Sequence, residues 1–114
     1  MVRRGEIYWL ELLAGVGSEQ TRRRPVVIVQ NDAGNQFSPT TIVAAITSQP
    51  RRRAYPFQVS FAATESGLGR DGTVLCEQLR TIDQSRLGSQ AGVLSAEKMR
   101  EVDRALHLSL GLEE

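Results

Sequence analysis

The sequence predicts a β-rich α+β fold, a sheet or small barrel of short strands closed by one amphipathic C-terminal helix. Three observations carry this. Residues 26–30 are a continuous apolar, mostly β-branched run of strand length, and residues 40–47 and 73–79 read as further strands. Residues 57–61 alternate, with Phe57, Val59 and Phe61 on one face and Gln58 and Ser60 on the other. Helical spacing appears only near the end, where Met99, Val102, Leu106 and Leu110 recur with Ala105 beside them.

Residues 5–13 are apolar and aromatic and read as the first strand. Residues 14–24 read as a long polar loop opened by Gly15 and Gly17. The continuous apolar character of residues 26–30 predicts a strand buried on both faces. Residues 31–35 carry turn chemistry, with Asn31 or Asp32 able to start one helical turn. Residues 40–47 form the next strand, followed by a flexible polar loop over 49–55 that contains Pro50 and Arg51, Arg52 and Arg53. After the alternating strand, residues 66–72 form a glycine-rich turn and residues 73–79 the last long strand. Ser95 is the N-cap of the helix, Glu97 suits its positive end, and Gly111 stops it. There is no internal repeat and no linker, so residues 1–114 read as one domain.

An apolar fraction of 40% and a charged fraction of 24% belong to an ordinary globular chain. No run of about 18 apolar residues exists to span a membrane, and Arg3-Arg4 is followed by no signal-peptide core. The one cysteine, Cys76, has no intramolecular disulfide partner, which points to a reducing cytoplasm. Net charge is +1 but unevenly spread. Residues 1–90 carry eleven basic and eight acidic side chains, residues 91–114 three and five. The basic excess gathers at Arg22-Arg23-Arg24 and Arg51-Arg52-Arg53. Two basic loops on a near-neutral domain suit a local anionic ligand, not a surface that coats DNA.

The candidate chemistry begins at Arg24-Pro25, at the mouth of the apolar run. Proline fixes its own φ and holds the preceding residue extended. A guanidinium held this way binds two phosphate oxygens at once and stays charged at any working pH. Thr47-Ser48-Gln49 ends another apolar strand, so hydroxyls are available at the same kind of edge. Other chemistries lack their parts. His107 is the only histidine and lies in the C-terminal helix, which excludes a two-imidazole ribonuclease. No His/Cys cluster or grouped carboxylates offer a metal site, and neither GxxxxGK[ST] nor GxGxxG occurs. No metal or cofactor is therefore expected. Arginine and hydroxyl groups can stabilise a pentacoordinate phosphorane, provided that the substrate carries its own nucleophile. RNA does so through its 2′-OH, and DNA does not.

At this point the residues carry a resemblance that runs through nearly the whole chain. It includes Arg4-Gly5-Glu6-Ile7-Tyr8, Gly17-Ser18-Glu19-Gln20 with Arg24-Pro25-Val26, and Gln30-Asn31-Asp32 with Asn35 and Ser38-Pro39-Thr40. It continues through Ile42-Val43-Ala44-Ala45-Ile46-Thr47, Glu77-Gln78-Leu79-Arg80-Thr81-Ile82-Asp83 and Arg86-Leu87. The chain resembles the MazF/PemK (Kid) family of toxin endoribonucleases. The resemblance implies a compact SH3-like barrel of antiparallel strands with a C-terminal helix (MazF/CcdB-like), forming a homodimer. It implies metal-independent cleavage of single-stranded RNA and mRNA at a short, ACA-containing motif. The 2′-OH would attack, leaving a 2′,3′-cyclic phosphate and a 5′-OH. The family's catalytic arginine and threonine fall on Arg24 and Thr47. Its base-contacting positions fall on Ser18, Glu19, Gln20, Tyr55, Glu77 and Gln78, and Asn31 and Gln49 complete the candidate substrate-binding set. Tyr55 stands where an aliphatic residue is expected, and Arg22 and Arg23 where smaller residues are. The acceptor for the 2′-OH proton is open between Glu19, Glu77 and water. The implied partner is an acidic antitoxin whose disordered tail covers the basic cleft. Two alternatives stand beside this reading: a gyrase poison of the same fold, and a non-catalytic RNA-binding barrel. Relatives of the first kind use a C-terminal tryptophan, whereas the one tryptophan here is Trp9.

Overall fold

The structure, a computed structural model, describes residues 1–13, 21–49 and 53–112. Its six strands are β1 (Glu6–Leu13), β2 (Thr21–Ile28), β3 (Thr40–Thr47), β4 (Gln58–Phe61), β5 (Gly72–Asp83) and β6 (Leu87–Val93). Two helices, α1 (Asp32–Phe37) and α2 (Ala96–Ser109), complete it, with single 3-10 turns at Ala63–Glu65 and Gln84–Arg86. The strands form one antiparallel sheet in the order β4-β5-β3-β2-β1-β6. The sheet curls so that its ends meet. After β4 the chain passes β6, where Val93 N–H donates to Ser66 O and Ser95 N–H to Glu65 O, both at 2.9 Å. Gly92 permits this closure, because a Cβ there would lie 2.1 Å from Ser66 O.

The central strands are buried on both faces. Alternation sends Val27, Ala44, Ile46, Val74 and Cys76 into a core covered by Val102, Ala105 and Leu106 of α2. It sends Val26, Ile28 and Val43 into a second core with Val2, Leu10 and Ile82. This is why residues 26–29 are apolar without a break. Cys76 is fully buried, and burial pushes its thiol up to about 11.

α2 starts where expected, with Ser95 Oγ accepting from Lys98 N–H at 3.2 Å, and Gly111 at φ +71° ends it. Lys98 bridges Glu101 at 3.0 Å; the hydrogen bond with that carboxylate is the main cause of its raised pKa. Asn31 is the N-cap of α1.

Five local expectations need correction. β2 begins at Thr21, so Thr21–Arg24 are strand and not loop; their backbone pairs with β1 through Leu10↔Arg24 and Leu13↔Thr21. β5 runs on to Asp83 because Thr40 to Ala44 of β3 pair with its second half. It is followed by β6, which the sequence reading lacks. Leu110 is exposed and not part of the helix core stripe. Phe57 is only half-buried and stacks on Tyr55, ring centroids 5.1 Å apart.

Candidate active site

β2 and β3 are in register at Val26↔Ala45, Val27↔Ala44 and Ile28↔Val43. Carried two residues further, that register sets Arg24 opposite Thr47, on the face of Val26 and Ala45. The paired ladder stops at Val26, and the ends of the two strands flank a cleft of about 330 Å³. Arg22, Arg23, Arg24 and Arg70 line it together with Thr47, Ser48 and Gln49. The three consecutive arginines are exposed, while Pro25 behind them is buried. Among the described residues, no carboxylate lies within ion-pair distance of any of these four arginines. Four like charges collected without counter-charge among the described residues suit an anion.

Thr47 is 8% exposed. Its Oγ1 accepts from Gln49 N–H at 3.2 Å. That bond occupies a lone pair of the hydroxyl and leaves its O–H as a donor. Gln49 is exposed and lines the cleft beside it.

Thr47, Ser48 and Gln49 also border a second, larger cleft of about 600 Å³ that runs past Arg53, Tyr55 and Gln58. Tyr55 presents a ring there, backed by Phe57. Gln58 Nε2 donates to Glu77 Oε2 at 2.6 Å, so the Glu77 carboxylate is held to the cleft wall. Among the described residues Glu77 makes no ion pair. Gln58 Oε1 is buried without a partner. Gln78 is exposed next to Glu77 on β5, in the bulge between Leu75↔Ala45 and Leu79↔Ala44.

The structure thus brings Arg24, Thr47, Gln49 and Tyr55 to two contiguous clefts, with Glu77 tethered at the margin. Ser18, Glu19, Gln20, Arg51 and Arg52 lie outside the described residues. Asn31 is elsewhere: its side chain accepts from Gly34 N–H at 2.7 Å and caps α1. Gln30 beside it pairs with Ile42, and Thr47 lies five residue steps along β3 from Ile42, roughly 17 Å. Asn31 is therefore a capping residue remote from the arginine cleft.

One site residue was missed. Arg70 comes from the glycine-rich turn, read from sequence as a turn only. Its guanidinium lies over the Trp9 ring, 5.7 Å from the centroid, and that of Arg23 at 5.2 Å. Only tertiary closure brings residues 9, 23 and 70 together; a turn arginine carries no local signal for it.

Fold and site together define a small antiparallel barrel with a polycationic, hydroxyl-bearing cleft at one end, the class of a phosphate-handling enzyme. Residues 3–110 match the family model described as PemK-like, MazF-like toxin of type II toxin-antitoxin system. The chain belongs to that family. It is 48% identical over 112 residues to Endoribonuclease EndoA of Bacillus subtilis (strain 168), covering 98% of this chain and 97% of that protein. Among solved structures, the MazE-MazF complex (Form-II) from Deinococcus radiodurans is similar with TM-score 0.79 and 30% identity, covering 98% of this chain and 97% of that one. A mycobacterial endoribonuclease in complex with its cognate antitoxin superposes with TM-score 0.83 at 24% identity, over 100% and 99% of the two chains, a likeness of fold.

Proposed function

We propose that this toxin cuts single-stranded RNA without a metal ion, by attack of a 2′-OH on the adjacent phosphate in the Arg24/Thr47 cleft. The family and the 48% identical endoribonuclease make the chain an endoribonuclease toxin. The observation that carries the finer reading is the Arg24–Thr47 register at the mouth of a cleft lined by four arginines. In the proposed reaction the O2′–P bond forms and the P–O5′ bond breaks, giving a 2′,3′-cyclic phosphate and a 5′-OH. Arg24 neutralises charge on the phosphoryl oxygens and supplies a proton to the departing O5′. Thr47 donates its O–H to a non-bridging oxygen. The 2′-OH proton passes to a carboxylate, Glu19 or Glu77, or to water.

Tyr55 and Gln49, which line the larger cleft, and Glu77 and Gln78 on β5 would be base-contacting groups, Tyr55 by stacking and Glu77 by accepting from a base amino group. Together with Ser18, Glu19 and Gln20 they would read a short, ACA-containing motif. Asn31, exposed at the start of α1, would contact the RNA outside the two clefts. We read residues 1–114 as one toxin domain acting in the cytoplasm as a homodimer. Among the described residues no helix is long and apolar enough to cross a membrane. The arginine clefts suit the acidic, disordered tail of a MazE-like antitoxin, and the complexes of Deinococcus MazF with MazE support such a partner.

The test is cleavage of a long unstructured RNA in EDTA with the product ends mapped. Cuts at one short motif with cyclic-phosphate ends, and none with Arg24→Ala, are expected. Activity that returns only with magnesium overturns the metal-free route. Absence of cleavage under both conditions moves the reading to a gyrase poison or an RNA-binding barrel.

A further inference from the structure

Arg70 has no role in the chemistry above, yet the fold goes to some length to place it. The turn that carries it is fastened at both ends. Ser66 O accepts from Val93 N–H at 2.9 Å, and Ser66 Oγ from Leu68 N–H at 3.0 Å. Asp71 Oδ1 accepts from Ala63 N–H at 2.9 Å, so the nearest carboxylate in sequence is turned to the backbone and not to Arg70. Gly69, at φ +87°, reverses the chain just before the arginine. The result is a second guanidinium over an indole that already carries Arg23. The quadrupole of the indole face offsets part of the repulsion between two such cations. An anion between or beside them offsets the rest.

Strand alternation separates these cations from the reaction centre. Trp9, Arg23 and Pro25 share one face of β1 and β2, as the pairing Trp9↔Pro25 and Glu11↔Arg23 requires. Arg24 and Thr47 belong to the opposite face. The cleft therefore has two cationic walls: Arg24 with Thr47, and Arg23 with Arg70 on Trp9. One scissile phosphate carries a single charge and is answered by the first wall. A polynucleotide brings further phosphates on either side.

We propose that Arg70 is a substrate-binding residue that holds a backbone phosphate adjacent to the scissile one, and that Trp9 is the positioning residue that holds the Arg70 guanidinium in place. The inference rests on the RNA-cleaving reading and adds a phosphate subsite to it.

The experiment uses the full chain and a cognate RNA oligonucleotide carrying a 2′-deoxyribose at the cut site, so that binding is measured without cleavage. Trp9 is the sole tryptophan, so its selectively excited fluorescence reports on this wall directly. RNA should change the emission of the parent. Arg70→Ala should weaken binding about tenfold or more and reduce the slope of log K against log salt by about 0.7, one single-strand phosphate contact. With cleavable RNA the loss should fall on KM more than on kcat. Arg70→Lys should keep the salt slope while losing part of the affinity, because it restores the charge but not the fork. Trp9→Phe should stay close to the parent and Trp9→Leu should not. Neutral methylphosphonate linkages placed one at a time should reveal a single position, next to the cut, at which Arg70→Ala carries no further penalty.

If the parent cuts RNA while Arg70→Ala keeps the parent affinity and salt slope, the Arg70 assignment fails and the cleavage reading stands. A penalty that vanishes only at the scissile linkage also overturns it, by moving Arg70 into the reaction centre. A parent that neither binds nor cuts RNA overturns both.

Discussion

The two ends of β3 each carry a threonine, and the contrast between them separates a structural polar cluster from a site. At one end Thr41 is fully buried and donates to Asn35 Oδ1 at 2.6 Å. Gln30 Nε2 reaches the same oxygen at 3.0 Å, and Asn35 Nδ2 returns a bond to Gln30 O. Gln84 Nε2 closes the cluster onto the carbonyls of Asn35 and Ser38, each at 2.9 Å. Every donor there has an acceptor from the same chain. At the other end Thr47 faces four arginines without a carboxylate among the described residues. Polar groups that satisfy one another hold a fold together. Cations gathered without counter-charge reduce stability and are explained by what they bind.

Mutations should divide along this line. The largest effect is expected for Arg24→Ala, a loss of cleavage of roughly 10²–10³-fold, in the range for removing an oxyanion stabiliser. Its melting temperature should stay at the parent value, since the side chain is exposed. Thr47→Val should cost about 10–100-fold in kcat/KM, as for a hydrogen bond to a charged group, again with little change in melting. Thr41→Val should reverse the pattern. It leaves part of the buried Asn35 amide unsatisfied and should cost about 1–3 kcal/mol in denaturant unfolding, while activity per folded molecule stays at the parent level. If Thr41→Val abolishes activity without loss of stability, the division between the two ends is wrong.

The smallest effect appears only at high pH, in Cys76. Burial raises its thiol from 9.0 to about 11. Above 9.0 the unfolded chain releases this proton while the folded chain keeps it. The contribution of the neutral thiol is therefore complete below 9.0 and declines as pH rises toward about 11. Unfolding free energies measured across that window should fall with pH, and Cys76→Ala should flatten the fall.

The sequence reading recovers those parts of the molecule where side chains alone dictate the outcome. The β3 boundaries, the Ser95 cap, the Gly111 stop and the two-sided burial of residues 26–29 all follow from residue type and period. It fails where backbone pairing decides. Leu87-Gly-Ser-Gln-Ala-Gly-Val has little strand propensity, and β6 exists because β1 offers it an edge, in a register broken on both sides of Tyr8↔Gln90. The arginine run at residues 22–24 has no apolar alternation, yet it is strand because β1 pairs with it. The same division holds for the site. Arg24 and Thr47 are marked locally by a following proline and a strand end. Asn31 carries the same residue chemistry as a ligand-binding group but is used as a cap. Arg70 is placed only by the closure of the barrel.

That closure also sets the order in which the clefts can form during synthesis. β1 precedes every other strand, yet Tyr8 pairs with Gln90, Leu94 N–H donates to Gly5 O, and Ile7 packs in the core that Val102 and Leu106 cover. Contacts between such distant positions form late. A nascent chain lacking β6 and α2 has neither the second partner of β1 nor the Val93–Ser66 bond that fastens the Arg70 turn. The clefts are therefore assembled only after all six strands have been made.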